Sequence, residues 1–66
     1  MKLCLNGKEQ EFEGVRTAGD LLTTLGLARE RVALMVNETV VRRADLDATP
    51  LGDGDVVEII TMVGGG

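Results

Sequence analysis

The sequence lacks the residue types on which most self-contained active sites depend. Its 66 residues include no histidine, serine, tryptophan or tyrosine. A Ser-His or Cys-His nucleophilic centre is excluded, because the imidazole that activates the nucleophile is absent. A zinc site with histidine ligands is excluded for the same reason, and a single cysteine cannot build a cysteine site. These absences argue against a free-standing enzyme and against a bound metal.

The single cysteine and the excess of acidic over basic residues limit the possible classes of protein further. One cysteine, Cys4, cannot form an internal disulfide, and we expect a cytoplasmic protein. Eleven acidic against seven basic residues give a net charge of −4, which argues against nucleic acid as a partner. No segment is long and apolar enough for a signal peptide or a membrane span. We therefore expect no membrane partner, and a chain that begins and ends at its natural termini.

The first residues predict a β-hairpin. Leu3 and Leu5 alternate with other residues, as in a strand with one buried face. The pair Asn6-Gly7 follows at once and is the preferred pair for a two-residue type I′ turn, in which both positions need a positive φ. Residues 8–13 then predict the second strand of the hairpin.

A helix with clear end signals is predicted next. Thr17 has the character of an N-cap, and Asp20 lies three residues later as in a capping box. Gly26 supplies a left-handed residue that ends the helix. The apolar stripe of this amphipathic helix consists of Ala18, Leu21, Leu22 and Leu25.

The remaining segments predict a sheet with one helix across one face. Residues 32–36 and 56–61 are apolar strands, residues 37–38 form a turn, and residues 40–41 allow a short strand. Residues 42–51 are expected to be irregular. The first and last strands are the most apolar, so we expect them side by side in the middle. The predicted fold is α+β, with a mixed sheet of four to five strands.

Strand alternation sorts the apolar residues between two faces of this sheet. The residues expected to face the helix are Leu3, Leu5, Leu34, Val36, Val57 and Ile59. Cys4, Met35 and Ile60 are sent to the opposite, uncovered face, where we expect them to form a small apolar patch that binds a partner. Ordinary strand composition is the alternative explanation of this patch, as it is for Cys4 alone.

The last five residues predict a mobile tail. Met62 and Val63 are followed by Gly64, Gly65 and Gly66, which cannot pack a core and cost conformational entropy to order. The domain is therefore predicted over residues 1–61 and the tail over residues 62–66. A linker remnant is one interpretation. The other is a tail that threads its terminal carboxylate into a narrow site of another protein.

Taken together, these features resemble the ThiS family of ubiquitin-like β-grasp sulfur carriers. The resemblance covers essentially the whole chain and is carried by residues 36–43, by residues 52–59, which read GDGDVVEI, and by residues 63–66. It implies a β-grasp fold and a sulfur carrier for the thiazole ring of thiamine. It also implies that Gly66 is the reactive residue and that Val63, Gly64 and Gly65 form the tail.

The resemblance further implies the partners. A ThiF-like adenylyltransferase would use Mg-ATP to adenylate the Gly66 carboxylate, and a persulfide or sulfide donor would convert it to a thiocarboxylate. A ThiG-like thiazole synthase would receive the sulfur. The carrier itself would bind no cofactor and no metal. Three alternatives stay open: a MoaD-like small subunit of molybdopterin synthase, a carrier for another pathway, and a β-grasp interaction module without tail chemistry.

The carboxylates are unevenly distributed. From residue 44 onwards there are five acids and no Lys or Arg; the acids are Asp45, Asp47, Asp53, Asp55 and Glu58. A solvated acidic loop is the usual explanation of such a run. Complementarity to a basic partner surface is the sharper one, because long-range attraction speeds encounter.

Overall fold

The computed structural model describes residues 1–61 and shows a mixed sheet with one α-helix on one face. The strands are β1 (Lys2–Leu5), β2 (Lys8–Glu11), β3 (Val32–Val36), β4 (Thr39–Val41) and β5 (Val56–Thr61). Their order across the sheet is β2-β1-β5-β3-β4. The β1–β5 pair is parallel, and the other neighbours are antiparallel. The predicted β-grasp architecture is confirmed, with the first and last strands paired near the middle.

Two asparagine turns set the register of the sheet. Asn6 and Gly7, with φ of 48° and 84°, join β1 to β2, and Asn37 and Glu38, with φ of 49° and 71°, join β3 to β4. Both predicted turns are confirmed. The asparagine side chains also extend the sheet, because Asn6 Oδ1 accepts from the Ile59 amide at 2.8 Å. Asn37 Oδ1 accepts from the amide that begins β5 at 2.9 Å.

Helix α1 (Ala18–Leu25) begins and ends at the predicted signals. Thr17 Oγ1 accepts from the Asp20 amide at 3.2 Å, and Asp20 Oδ2 accepts from the Thr17 amide at 3.2 Å. This reciprocal capping box satisfies donors that a helix N-terminus leaves free. Gly26 closes the helix in the left-handed conformation, with φ 71°. With eight residues, α1 is short, and within residues 1–61 no helix is long and apolar enough to cross a bilayer.

The core lies between α1 and one face of the sheet. Its fully buried large side chains are Leu3, Leu21, Leu22, Leu34 and Val57. Leu5 is also buried, and Val36 and Ile59 pack against this cluster from its edge. The predicted helix-facing set is therefore confirmed. Full burial of one such side chain stabilises the fold by about 1.5–3 kcal/mol.

The prediction that residues 42–51 are irregular is wrong. Arg43–Ala48 forms a 3₁₀ helix that places Leu46 in the core, and a shorter 3₁₀ turn covers Arg29–Arg31. Leu51 is buried as well. A 3₁₀ segment lacks the 3.6-residue apolar period, which explains why the sequence pattern did not reveal it. Strand β2 is also shorter than predicted: it ends at Glu11, and Phe12 enters the core just beyond it.

A close approach between α1 and the 3₁₀ helix accounts for Gly19. A side-chain carbon at Gly19 would overlap with the Asp47 carboxylate and would lie 2.8 Å from Arg29 Nη2. These two side chains form a bidentate pair across the helix end, with both N···O distances at 2.8 Å. The hydrogen bond from Arg29 lowers the pKa of Asp47. Glycine weakens a helix, but here it leaves room for this contact.

Candidate functional site

The face of the sheet opposite α1, called here the open face, carries the predicted partner-binding residues. The registers place Cys4 beside Val56 and Met35 beside Glu58. Ile60 lies beside Ala33 on the same face. Cys4, Met35 and Ile60 thus share a face as predicted, and they come from three different strands, β1, β3 and β5. The central strand β5 separates Cys4 from Met35.

The exposed apolar surface is larger than the sequence prediction. The large apolar side chains most exposed within residues 1–61 are Val40 at 64%, Ile60 at 54% and Val56 at 45%. Cys4 and Met35 are less exposed than these three side chains, because both are half-buried. Every second residue of a strand lies on the same face, so the sequence could have predicted that Val56 lies on the open face with Ile60. The pairing of Val40 with Met35 shows that Val40 belongs to this face as well.

The open face divides into two parts. On β1 and β2, Lys2 Nζ contacts Glu9 at 3.9 Å, and the amino group of Met1 contacts Glu11 at 3.2 Å. This part is charged and paired within the domain. The part on β5, β3 and β4, which we call the apolar half, consists of Val56, Ile60, Ala33, Met35 and Val40.

The apolar half reaches the end of the sheet at which the predicted tail begins. Strand β5 ends at Thr61, opposite Val32, and Ile60 lies one residue earlier. The predicted tail site, namely Val63, Gly64, Gly65 and the Gly66 carboxylate, lies outside the described residues. The tail and its chemistry therefore stay predictions, as does the partner-binding role of the open face.

Most of the acidic segment has a structural role. Asp53 Oδ1 accepts from the Lys2 amide at 2.7 Å, which ties the last turn to β1. Asp55 accepts from the Gly52 amide at 2.8 Å and from the side-chain amide of Asn37 at 3.1 Å. Asp47 pairs with Arg29, as described above. These contacts stabilise turns, and they weaken the interpretation of the whole segment as a docking surface.

No group of three His, Cys, Asp or Glu side chains within residues 1–61 could hold a metal ion. All side chains with buried polar atoms in that range have hydrogen-bond partners. What the domain offers is a five-stranded sheet with an exposed apolar half beside the start of the C-terminal segment.

A five-stranded mixed sheet spanned by one helix, with its free face open for contact, defines the class as a ubiquitin-like β-grasp domain. A crystal structure of the thiamine biosynthesis protein ThiS from Geobacter metallireducens has this fold, with a TM-score of 0.82, 38% identity and full coverage of both chains. Residues 3–66 match the family model for the ThiS family, and the chain belongs to that family.

Two curated relatives extend the comparison. The sulfur carrier protein ThiS of Thermus thermophilus is 36% identical over 62 residues, which are 94% of this chain and 95% of that protein. A thiazole synthase of Paramagnetospirillum magneticum is 36% identical over 66 residues, all of this chain but only 20% of the synthase. The chain thus spans about a fifth of that relative's length.

Proposed function

We propose that this chain is a sulfur carrier for thiamine biosynthesis and that its Gly66 carboxylate is the group that carries the sulfur. The observation that supports this most strongly is the family match over residues 3–66, which extends through the glycine-rich end. The apolar half next to the end of β5 fits the same function, because a carrier must dock on a partner while its end enters the partner's active site.

The proposed chemistry needs activation by a partner. A carboxylate is a poor electrophile, since its charge is shared by two oxygens. In the proposed first step, a Gly66 oxygen attacks the α-phosphorus of ATP on a ThiF-like adenylyltransferase, and pyrophosphate leaves. Sulfide then attacks the acyl carbon directly, and AMP leaves with the bridging oxygen. With a persulfide donor, the same attack gives an acyl disulfide, and a thiol must then attack the donor's sulfur, forming a disulfide with it and releasing the acyl-bound sulfur. The product is a thiocarboxylate. The chain supplies the carboxylate and the docking surface; the partner supplies Mg-ATP and the acid–base groups.

A ThiG-like thiazole synthase is the proposed acceptor of the sulfur. The support is the thiazole synthase of P. magneticum, a fifth of which is similar to this whole chain. A carrier-like segment within the synthase chain suggests that the two proteins act together. The sulfur donor and the cytoplasmic location stay predictions.

The reach of the proposed tail is consistent with this scheme. Five residues from 62 to 66 span at most about 18 Å when fully extended. A carrier docked by its apolar half could therefore place the Gly66 carboxylate in a partner site about that far from the end of β5. Ordering the tail costs roughly 1–2 kcal/mol per residue, so the folded domain must contribute binding free energy of its own.

The length of the tail provides the experiment. Deletion of Gly66 withdraws the carboxylate by about 3.3–3.6 Å, and one added residue moves it equally far past the reactive position. Both variants should keep the circular-dichroism spectrum of the unaltered chain, and neither should release pyrophosphate with the adenylyltransferase and Mg-ATP. Full sulfur transfer by either variant would contradict the proposal.

The interaction module without tail chemistry is the second candidate, because the apolar half would serve it equally well. The same experiment separates the two. A binding module would bind its partner equally with either tail and would release no pyrophosphate even as the unaltered chain, whereas an unaltered sulfur carrier would release it.

A further inference from the structure

One carboxylate lies inside the exposed apolar surface. Glu58 is exposed and points to the open face from the central strand β5, between Val56 and Ile60 along the strand. Its partner across the β5–β3 ladder is Met35, and Val40 follows on β4. A surface that covers the apolar half must therefore cover Glu58 as well.

The domain itself does not neutralise this carboxylate. Among residues 1–61, no salt bridge or hydrogen bond involves the Glu58 side chain, whereas Lys2, on the same face, contacts Glu9. On the side of β5 that faces β1, strand β1 ends at Leu5 and the chain turns at Asn6. The Asn6 side-chain oxygen accepts from the Ile59 amide. Glu58 is also one of the few acids of the segment after residue 44 without a structural contact in the described part of the chain.

Covering such a group has a definite consequence. Removal of a carboxylate from water is strongly unfavourable unless a cation and hydrogen bonds replace the solvent. The apolar residues around Glu58 cannot do this. A purely apolar partner surface would bind this face more weakly than it would bind the same face without Glu58. A partner that presents a cation to Glu58 would therefore bind more tightly than a partner that does not.

We propose that Glu58 is a specificity-determining residue of the docking surface and that it fits a protein partner presenting a Lys or Arg side chain among apolar residues. This inference rests on the proposed function, in which the apolar half docks on the adenylating partner. The apolar residues supply contact area, and the Glu58–cation pair fixes the register of the docked sheet and rejects surfaces without the cation.

The direction in which Glu58→Leu changes the affinity for the partner shows whether Glu58 meets a cation. If Glu58 meets a cation, Glu58→Leu leaves that cation buried and unpaired, and affinity falls. If Glu58 is covered without a partner, the same change removes a desolvation cost, and affinity rises. Glu58→Gln keeps the size of the side chain and removes only its charge. We expect both variants to fold, because the Glu58 side chain is exposed and makes no hydrogen bond or salt bridge with residues 1–61.

Glu13 provides the matched control. It is an exposed acid just beyond β2, and that end of β2 lies beside Lys2 at the start of β1. Lys2 in turn is bonded to Gly54, before the start of β5, so Glu13 is at the end of the sheet opposite the tail. Glu13→Leu and Glu13→Gln change the net charge equally and leave the apolar half intact.

The experiment measures binding of the full chain and its variants to the ThiF-like adenylyltransferase of the same organism, together with pyrophosphate release. We expect Glu58→Gln and Glu58→Leu each to weaken binding at least tenfold, with a weaker salt dependence, and the Glu13 variants to bind as the unaltered chain does. Equal or tighter binding by Glu58→Leu, while the unaltered chain is adenylated, would overturn only the role of Glu58. An unaltered chain that binds the enzyme but is not adenylated would instead refute the proposed function.

Discussion

Replacement of Ile60 by aspartate tests whether the apolar half is the docking surface. Ile60 is 54% exposed and lies on the last part of β5, close to the start of the tail. Its side chain does not belong to the core between α1 and the sheet. The substitution therefore acts on the proposed contact and affects the core little.

The expected loss of binding affinity follows from the exposed fraction of the Ile60 side chain. Full burial of an isoleucine is worth about 1.5–3 kcal/mol, and the exposed half leaves about 0.8–1.6 kcal/mol to be gained on docking. Ile60→Ala should remove that gain and weaken binding about 4- to 15-fold. Ile60→Asp adds the cost of covering a charge, which is several kcal/mol, and should weaken binding at least about 100-fold.

Binding to the adenylyltransferase is measured by calorimetry, and the fold is monitored by circular dichroism. Thr24→Asp, on the exposed side of α1, adds the same charge on the other side of the molecule and serves as the control. We expect the order unaltered chain, Ile60→Ala, Ile60→Asp in decreasing affinity, with Thr24→Asp equal to the unaltered chain. Undiminished affinity of a folded Ile60→Asp would refute docking through the apolar half.

Three further predictions concern the fold. Leu22→Ala, at a fully buried position of α1, should cost about 2–5 kcal/mol of the free energy of unfolding, measured in urea; a smaller loss would mean that the helix is poorly packed. Asn37→Gly keeps the positive φ but removes both side-chain hydrogen bonds, and should cost about 1 kcal/mol; no loss would show that water replaces them fully. Asp47, whose pKa is lowered by Arg29, stabilises the fold above its ordinary pKa and loses that effect as the pH falls through the lowered value. In the Asp47→Asn variant, the free energy of unfolding should therefore fall less steeply below about pH 4 than it does in the unaltered chain. The same steepness in both would contradict a stabilising role of the Arg29–Asp47 pair.

Local signals predicted the regular elements because each depends on a few neighbouring residues. Asn6-Gly7 specifies its turn through the backbone alone, and Thr17 with Asp20 caps the helix without help from the rest of the chain. Such features can be found in the sequence because both partners of the interaction are nearby in it.

Features that depend on distant residues were missed. The close approach at Gly19 involves Asp47, which is far away in the sequence, and the burial of Leu46 depends on a 3₁₀ helix without an apolar period. The open face was predicted in outline, but the setting of Glu58 depends on the β3–β5 register. Register is set by tertiary packing and turn geometry, and the sequence pattern alone left it open.

The most direct test of the central claim is the mass of the chain after reaction. The full chain is incubated with the ThiF-like adenylyltransferase, Mg-ATP and a sulfide source, and its mass is compared with that of a sample without ATP. Exchange of one oxygen for sulfur at Gly66 should add about 16 Da, and fragmentation should place the change on the terminal residue. An unchanged mass in the presence of an active adenylyltransferase would contradict the account.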